Sequence, residues 1–151
     1  MMFFADRMLG KLAKKLRLLG FDTLYLSQIE EDEILKLCFE TGRILITRNR
    51  ELHMKALKQG IRSLLLKSDS WRQQLVELSK VLDLKNADRM TRCSLCNAEL
   101  ILANPEKVKQ KVPLYVQQIR NEFYECPVCG RLYWEGTHVE HALEEFRRLN
   151  L

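Results

Sequence analysis

Four cysteines in the second half of this chain of 151 residues limit its possible folds more than any other feature. Cys93 and Cys96 form one pair and Cys126 and Cys129 a second, which gives the pattern C-x2-C-x29-C-x2-C. Two intervening residues allow both thiolates of a pair to face one ion, and two such pairs supply the ligands of a tetrahedral zinc site. Because all four ligands are then protein side chains, the pattern predicts structural Zn²⁺ in a small ribbon.

Iron and disulfides are the alternatives for these cysteines. Four thiolates also bind iron, and two disulfides use the same number of sulfur atoms. Asp6 interrupts the first apolar residues before a secretory signal can form, and no apolar run reaches the ~18–20 residues of a membrane span. We therefore expect a cytoplasmic protein with no membrane association, in which disulfides do not persist. The fifth cysteine, Cys38, is expected to be buried as a small apolar side chain.

The first part of the chain alternates four times between short apolar runs and amphipathic segments. The expected strands are 3–5, 23–26, 43–47 and 61–66, and the expected helices are 9–19, 30–41, 51–59 and 71–82. Gly20 and Gly42 are expected to end the first two helices. Such alternation predicts an α/β fold in which a parallel sheet is flanked by helices.

A polar segment without periodicity, 83–88, predicts a linker and a domain boundary close to residue 90. Residues 1–89 would then form the sheet domain, and 90–151 the ribbon with a last helix at 139–149. Short ribbon strands are expected at 100–102, 123–125 and 131–134. So few residues cannot build a large apolar core, and we expect the metal to supply much of the folding free energy of the ribbon.

Polar side chains that can bind a cation follow each of the four predicted strands. They are Asp6, then Glu31, Asp32 and Glu33, then Asn49, and finally Asp69. Parallel strands end at one edge of the sheet, where ligands of such folds bind. Carboxylates at that edge would suit Mg²⁺ or Mn²⁺, which can activate a water for attack on a phosphodiester.

The positive charge of the chain lies entirely in its first part. Residues 1–90 contain 17 Lys or Arg and 12 Asp or Glu, whereas 91–151 contain 8 of each, so the net charge of +5 arises before the ribbon. A basic surface favours a polyanion such as RNA. The candidate nucleic-acid contacts are Arg7, Lys11, Lys14, Lys15, Arg48 and Arg50. Arg17 is expected on the same polar helix face as the three lysines.

Each of these residues also has a simpler interpretation. Asp32 suits a helix N-cap, Asp6 and Asn49 suit turns, and the basic helix face suits contact with solvent. No catalytic pattern is formed by the three histidines, His53, His138 and His141. The last two are expected at the surface or in ribbon packing. The joint placement of the acids at one edge favours a functional site over these alternatives.

Several segments, taken together, resemble a known family. They are FADRMLGKLA at 4–13, LRLLGFDT at 16–23, DEIL at 32–35, GRILITRN at 42–49, RCSLCN at 92–97, CPVCG at 126–130 and YWEGTH at 133–138. In these segments the chain resembles the Mut-seven C-terminal RNase family of PIN-like nucleases. The resemblance implies a PIN-like α/β domain followed by a zinc ribbon, and a ribonuclease that uses a divalent metal.

The resemblance also implies roles for individual residues. Asp6 and Asp32 match acidic ligands of Mg²⁺ or Mn²⁺, and Asn49 stands where the family pattern has an aspartate. This departure predicts an attenuated ribonuclease or, as the alternative, a non-catalytic RNA-binding adaptor. Asp69, by its place after the fourth predicted strand, is a candidate compensating acid, and Glu33 is a candidate substitute for Asp32. A homodimer or a protein partner is compatible with the resemblance, and the sequence identifies neither.

Overall fold

The computed structural model describes residues 1–85, 87–89, 91–134 and 137–151, without the side chains of 137–140. A four-stranded sheet lies at the centre of the first half. Its strands are β1 (Met2–Ala5), β2 (Asp22–Tyr25), β3 (Ile44–Thr47) and β4 (Ser63–Leu65). All neighbouring strands are parallel, and their order across the sheet is β2-β1-β3-β4. The predicted α/β class and parallel sheet are therefore confirmed.

Four helices alternate with these strands and cover both faces of the sheet. They are α1 (Gly10–Leu18), α2 (Glu31–Thr41), α3 (Arg50–Lys58) and α4 (Trp71–Ser79). Phe3 and Ala5 pack in one core with α1 and α4, whereas Phe4 packs in a second core with α2 and α3. Successive side chains of a strand point to opposite faces, so these apolar strands require helices on both sides.

Glycines follow the first two helices, as expected. Gly42 has a φ of 71°, and its amide donates to the carbonyl oxygen of Cys38 at 2.9 Å. At Gly20 the φ is 98°, and a Cβ there would lie 2.1 Å from the carbonyl oxygen of Asp88. Only glycine therefore allows the segment before the first cysteine pair to pass so close to the end of α1.

The second half contains an antiparallel sheet of three short strands. They are β5 (Ile101–Leu102), β6 (Tyr124–Glu125) and β7 (Leu132–Tyr133), in the order β5-β6-β7. Two short helices that the sequence pattern did not predict, α5 (Pro105–Lys111) and α6 (Leu114–Ile119), separate β5 from β6. The side chain of Asn104 accepts a hydrogen bond from the amide of Glu106 at 2.9 Å, and Pro105 occupies the first turn. Both are helix-start signals that the absence of an apolar period obscured.

The last helix, α7 (Thr137–Arg148), packs against the first half of the chain. Phe146 is fully buried, and it shares a core with Phe3 and with Leu151. Leu84, inside the segment expected to be a linker, is 1% exposed and belongs to the same core. The chain thus returns to the sheet after the ribbon, and the division into domains 1–89 and 90–151 stays a prediction.

Candidate functional site

The carboxyl ends of β1 and β3 lie side by side at the centre of the sheet. The connection from β1 leads to β2 on one flank, and the connection from β3 leads to β4 on the other. Chain segments therefore leave this point in opposite directions and open a crevice, which is where open α/β sheets bind ligands. Asp6 follows β1 directly, and its amide donates to the carbonyl oxygen of Ile46 in β3 at 2.9 Å.

The Asp6 carboxylate is 6% exposed and is held in a fixed orientation. Its Oδ2 accepts from the Thr47 hydroxyl at 2.7 Å. Its Oδ1 accepts from the Arg7 amide at 2.7 Å and from Arg7 Nε at 3.2 Å. A carboxylate offers about four acceptor positions, so these bonds leave one on Oδ2 for a cation or a water.

Thr47 joins Asp6 to Asn49. Its Oγ1 donates to Asp6 and accepts from the backbone amide of Asn49 at 2.9 Å. Thr47 is fully buried, whereas Asn49 is exposed. The structure therefore brings Asp6 and Asn49 together at one edge, as predicted, through a threonine that the sequence reasoning did not single out.

The side chain of Asn49 caps α3. Its Oδ1 accepts from the amide of Leu52 at 3.2 Å, as the oxygen of an N-cap residue does. Aspartate is an equally good N-cap, so this contact explains why a short polar side chain stands here but not why it is an amide. The same oxygen has a second lone pair, which leaves it able to contact a cation.

The acidic start of α2 reaches this network through Glu31. Its carboxylate lies 3.5 Å from Arg7 Nη2 and 3.4 Å from Lys55 Nζ. Asp32 is exposed and occupies the second position of α2, whose N-cap is Glu30, so the interpretation of Asp32 as an N-cap is wrong. Glu33, also exposed, lines a cavity of about 370 Å³ together with Arg7 and 27–30.

Asp69 lies on the outer flank of the sheet, four residues beyond β4, and it is exposed. The loop before it is held by Glu77, whose carboxylate accepts from the amides of Lys67 and Ser68 at 2.9 and 3.0 Å. Burial acts to raise the pKa of Glu77, but these hydrogen bonds outweigh it and lower the pKa. Glu77 is therefore the acid that holds this loop. Asp69 stays a candidate metal ligand by its position alone.

A cation at this edge would have few protein ligands. Among the residues that the structure describes, the one group of three or more His, Cys, Asp or Glu side chains close enough to share a metal is formed by the cysteines. Mg²⁺ characteristically keeps several waters and uses one or two carboxylates. The oriented Asp6 carboxylate fits that requirement.

The candidate basic residues differ in environment. Four of them are exposed: Lys11, Lys14, Arg48 and Arg50. Arg7 is engaged by the carboxylates of Asp6 and Glu31. Lys15 is half-buried, with its Nζ 4.5 Å from the centre of the Trp71 ring, so it has a packing role.

The four cysteines meet in the ribbon as their spacing predicts. All four Sγ atoms lie within 4.8 Å of one another, and Cys93 and Cys129 are 3.8 Å apart. Tetrahedral zinc with bonds of about 2.3 Å separates its sulfur ligands by about 3.8 Å. The cluster can therefore hold a metal such as zinc.

Hydrogen bonds favour the thiolate form of Cys93. Cys93 Sγ accepts from the amide of Cys96 at 3.4 Å and lies 3.0 Å from the Tyr133 hydroxyl. Burial acts to raise the pKa of Cys93, but these bonds prevail and lower it to about 7. Burial and the other three cysteines raise the pKa of Cys96 to about 12. A bound cation would remove this repulsion between thiolates.

The first cysteine pair is fastened to the sheet by residues that the sequence reasoning missed. Arg17, expected on the solvent-facing side of α1, is instead 5% exposed, and this expectation is wrong. Its guanidinium donates to the carbonyl oxygens of Thr23, Ser94 and Leu95 at 2.8, 2.9 and 3.1 Å. Ser94 and Leu95 lie between the two cysteines of the pair, so Arg17 ties the cysteine loop to β2.

Asn97, directly after this pair, makes the second connection. Its Nδ2 donates to Asp22 Oδ1 at 2.6 Å, and its Oδ1 accepts from the amide of Thr23 at 2.9 Å. Asp22 also pairs with Arg43 at 2.7 Å. These residues stand at the amino ends of β2 and β3, opposite the edge that carries Asp6. The position of the cysteine cluster therefore suits a structural metal.

Two of the three histidines, His53 and His141, have described side chains, and neither belongs to the cysteine cluster or to the hydrogen bonds of Asp6. His53 Nδ1 lies 2.7 Å from Ser63 Oγ, where α3 packs beside β4. His141 is exposed on α7, and the side chain of His138 lies outside the described residues. The expectation that His138 lies at the surface or in ribbon packing therefore falls outside the described residues.

Comparison with known proteins gives one result. The family model of the Mut7-C RNAse domain matches residues 1–146, which include the sheet and all four paired cysteines. Comparisons with curated proteins and with solved structures gave no match. Within the described ranges, no helix is long and apolar enough to cross a membrane. The extent of the family match identifies the chain as a member of the Mut7-C RNAse domain family.

Proposed function

We propose that the chain is a divalent-metal-dependent ribonuclease that hydrolyses RNA phosphodiester bonds at the carboxyl edge of its parallel sheet. The observation that carries the proposal is Asp6, a buried and oriented carboxylate between β1 and β3. A carboxylate is costly to bury unless it is hydrogen-bonded or binds a cation. Asp6 has hydrogen bonds on both oxygens and one acceptor position left.

Asp6 and Asp32 would hold Mg²⁺ or Mn²⁺, with Asn49 or Asp69 contributing further oxygen atoms. Such an ion, when bound, supplies a Lewis acid that activates water and neutralises charge on the phosphate. Thr47 keeps Asp6 Oδ2 in place, and Arg7 keeps Oδ1 in place. These contacts are the outer partners that hold a metal ligand in one orientation.

Exposed basic side chains would position the RNA backbone. Arg7 is already neutralised by Asp6 and Glu31, and it serves chiefly to orient Asp6. The exposed candidates, Lys11, Lys14, Arg48 and Arg50, are free of that restriction and suit contacts with phosphates. We place the catalytic region within 1–89 and the structural metal, which we take to be zinc, within 90–151.

Asn49 supports a second candidate, a non-catalytic RNA-binding adaptor. One of the two lone pairs on its side-chain oxygen accepts the hydrogen bond that caps α3, and an amide brings no charge to attract a cation. Under this alternative the carboxyl edge binds RNA without cleaving it. The two candidates differ in whether a divalent ion binds close to Asp6.

The deciding experiment compares Asp6→Asn with a matched control, Asp88→Asn. Asp88 is an exposed aspartate that we place in neither site. Both variants are assayed on a single-stranded RNA with and without added Mg²⁺ or Mn²⁺. We expect Asp6→Asn to lose more than the ~10–100-fold that is typical of residues supporting a metal ligand, and Asp88→Asn to match the parent.

Two other outcomes would be informative. Cleavage by Asp6→Asn at the parental rate would refute the assignment and indicate catalysis elsewhere or a contaminating nuclease. If the parent protein binds RNA but neither cleaves it nor binds a divalent ion at this edge, the adaptor is the correct alternative.

A further inference from the structure

A cavity of about 570 Å³ opens in the ribbon, away from the residues assigned to the carboxyl edge. Its walls come from the segments flanking the cysteine pairs, and among them are Arg89, Arg120, Glu122, Tyr124, Tyr133 and Trp134. This volume is within the ~300–1,000 Å³ range of ligand-binding pockets. None of these residues has a part in the function proposed above.

Three aromatic residues line this ribbon cavity: Tyr124, Tyr133 and Trp134. Tyr124 and Tyr133 are directly opposite each other on β6 and β7, so both side chains are on the same face of the small sheet. Trp134 follows Tyr133, and its ring packs against Phe123 with 6.0 Å between centroids. Tyr133 is also held by its hydroxyl, 3.0 Å from Cys93 Sγ. The rings are therefore fixed in place before any ligand arrives.

The charged residues of the ribbon cavity are two arginines and one glutamate. The Glu122 carboxylate accepts a hydrogen bond from the Tyr124 hydroxyl at 3.2 Å. Arg89 lies with its guanidinium 5.9 Å from the centre of the Phe146 ring, and its side chain is partly exposed. The ribbon cavity thus brings aromatic residues together with two guanidinium groups.

We propose that the ribbon cavity binds one nucleotide of a single-stranded RNA. The base would stack on one of the aromatic rings that line the cavity. The phosphate would face the guanidinium groups of Arg89 and Arg120. Aromatic rings beside guanidinium groups are the general means by which proteins bind unpaired nucleotides. A nucleotide matches both features, because its base can stack on an aromatic ring while its phosphate accepts hydrogen bonds from a guanidinium group. The choice of RNA rests on the function proposed above, and the cavity adds to it a second contact outside the cleavage site.

The test measures binding of a short oligouridylate to the full chain in an Asp6→Asn background, so that cleavage is not needed for a signal. Affinity is measured from the fluorescence anisotropy of a dye-labelled oligouridylate, which serves for every variant. The chain has two tryptophans, and Trp71→Phe leaves Trp134 as a second reporter in the variants that retain it. We expect RNA to quench Trp134. Tyr124→Ala and Trp134→Ala should each weaken binding roughly tenfold, and Trp134→Phe should restore most of the affinity because a ring remains.

Tyr115→Ala is the matched control, because Tyr115 is a 68% exposed aromatic side chain of α6 that does not line the cavity. Its affinity should equal that of the background protein. If Trp134→Ala is unfolded by circular dichroism or loses its metal, the conclusion rests on Tyr124→Ala. The hydroxyl of Tyr124 contacts Glu122 and not a cysteine, so its removal should leave the cysteine cluster intact. Parental affinity in Tyr124→Ala together with unquenched Trp134 would overturn the proposal.

This experiment separates the cavity from the cleavage site. Weaker binding in the cavity variants supports the ribbon site even if the parent protein proves unable to cleave RNA. Cleavage by the parent, with unchanged binding in the cavity variants, would retain the ribonuclease and refute the ribbon site. A loss of affinity as large in Tyr115→Ala as in Trp134→Ala would also refute it, by indicating nonspecific contacts with exposed rings.

Discussion

The sheet region and the ribbon differ in what holds them together. Each face of the sheet is covered by a cluster of buried apolar side chains contributed by the flanking helices. Among the described residues of 91–134, the buried ones are Cys93, Val112, Val116 and Cys126. Burial of apolar surface is the main favourable term in folding, so the sheet region has a source of stability that the ribbon largely lacks.

The candidate metal ligands also differ between the sheet region and the ribbon. At the carboxyl edge of the sheet, the hydrogen bond between Asp6 and Thr47 links the ends of β1 and β3, two strands that backbone pairing and apolar packing already hold together. In the ribbon, the four cysteines bring the segments 93–96 and 126–129 together. We therefore expect a metal at the edge to act on chemistry and a metal in the ribbon to act on stability.

Removal of the ribbon metal is the strongest test of this difference. We expect one equivalent of zinc per chain, with an apparent binding free energy on the order of 10 kcal/mol. Chelation, or Cys126→Ser, should remove the protection of ribbon amides such as those of Cys93 and Gly130. The amides of Asp6 and Leu45 in the sheet should stay protected.

Hydrogen exchange measured residue by residue, together with elemental analysis, checks this prediction. If the bound metal is iron instead of zinc, its removal should still expose the ribbon amides and leave the sheet amides protected. Ribbon amides that remain protected without any metal would show that the ribbon folds on its own contacts.

The next prediction concerns the point where α1 meets the segment that leads to the ribbon. Gly20→Ala should lower the free energy of unfolding by about 3 kcal/mol, because the positive φ and the collision with the Asp88 carbonyl both oppose a Cβ. Gly42→Ala is the control, since its φ is also positive but no atom lies within 4 Å of the added Cβ. Gly42→Ala should lower the free energy of unfolding by only about 1 kcal/mol. If urea denaturation gives the same loss of unfolding free energy for Gly20→Ala and Gly42→Ala, the close approach of the Asp88 carbonyl is unimportant.

Much of the sheet region could be predicted from sequence because its signals are local. Apolar runs too short for helices gave β1 and β3, and a three- to four-residue period gave α1. The parallel arrangement then placed Asp6 and Asn49 at one edge. In the ribbon, the same reasoning found the cysteine cluster but not α5 and α6, because Val112 and Val116 alone do not make an apolar period.

The contacts that position the sites could not be predicted, because they depend on which chain segments meet. Arg17 has the same sequence surroundings as Lys14, yet it is buried against the first cysteine pair, whereas Lys14 is exposed. Glu31 and Asp32 are equivalent in pattern, and only Glu31 reaches Arg7. Thr47 looks like the last residue of a strand. Its role appears only when β1 and β3 are paired.

A smaller effect should test how firmly the two regions are joined. Arg17→Met keeps the length of the side chain but leaves the carbonyl oxygens of Thr23, Ser94 and Leu95 without their donor. We expect a loss of about 2 kcal/mol, which corresponds to buried acceptors left unsatisfied. Arg72→Met is the control, because it removes an exposed ion pair with Glu145, and such pairs contribute at most about 1 kcal/mol. Denaturant midpoints that shift equally in both variants would indicate that Arg17 does not fasten the ribbon.

The smallest expected effect is at Asn49, where a substitution can raise the affinity of the carboxyl edge for a metal without altering the ribbon. Asn49→Asp adds a negative charge close to Asp6 and preserves the α3 cap, because aspartate is an equally good N-cap residue. We expect roughly tenfold tighter Mn²⁺ binding, or about 1.4 kcal/mol, and faster RNA cleavage. The ribbon metal and the melting temperature should barely change.

A matched control places the same substitution at another helix N-cap. Asn104→Asp keeps the cap of α5 and adds the same charge in the ribbon. Mn²⁺ titration of both variants beside the parent separates a local ligand from a general increase in negative charge. Equal affinities in Asn49→Asp and the parent would mean that Asn49 only caps α3, and the adaptor would become the better explanation of the edge. A gain in Asn49→Asp alone would show that the edge is a metal site weakened by one missing carboxylate.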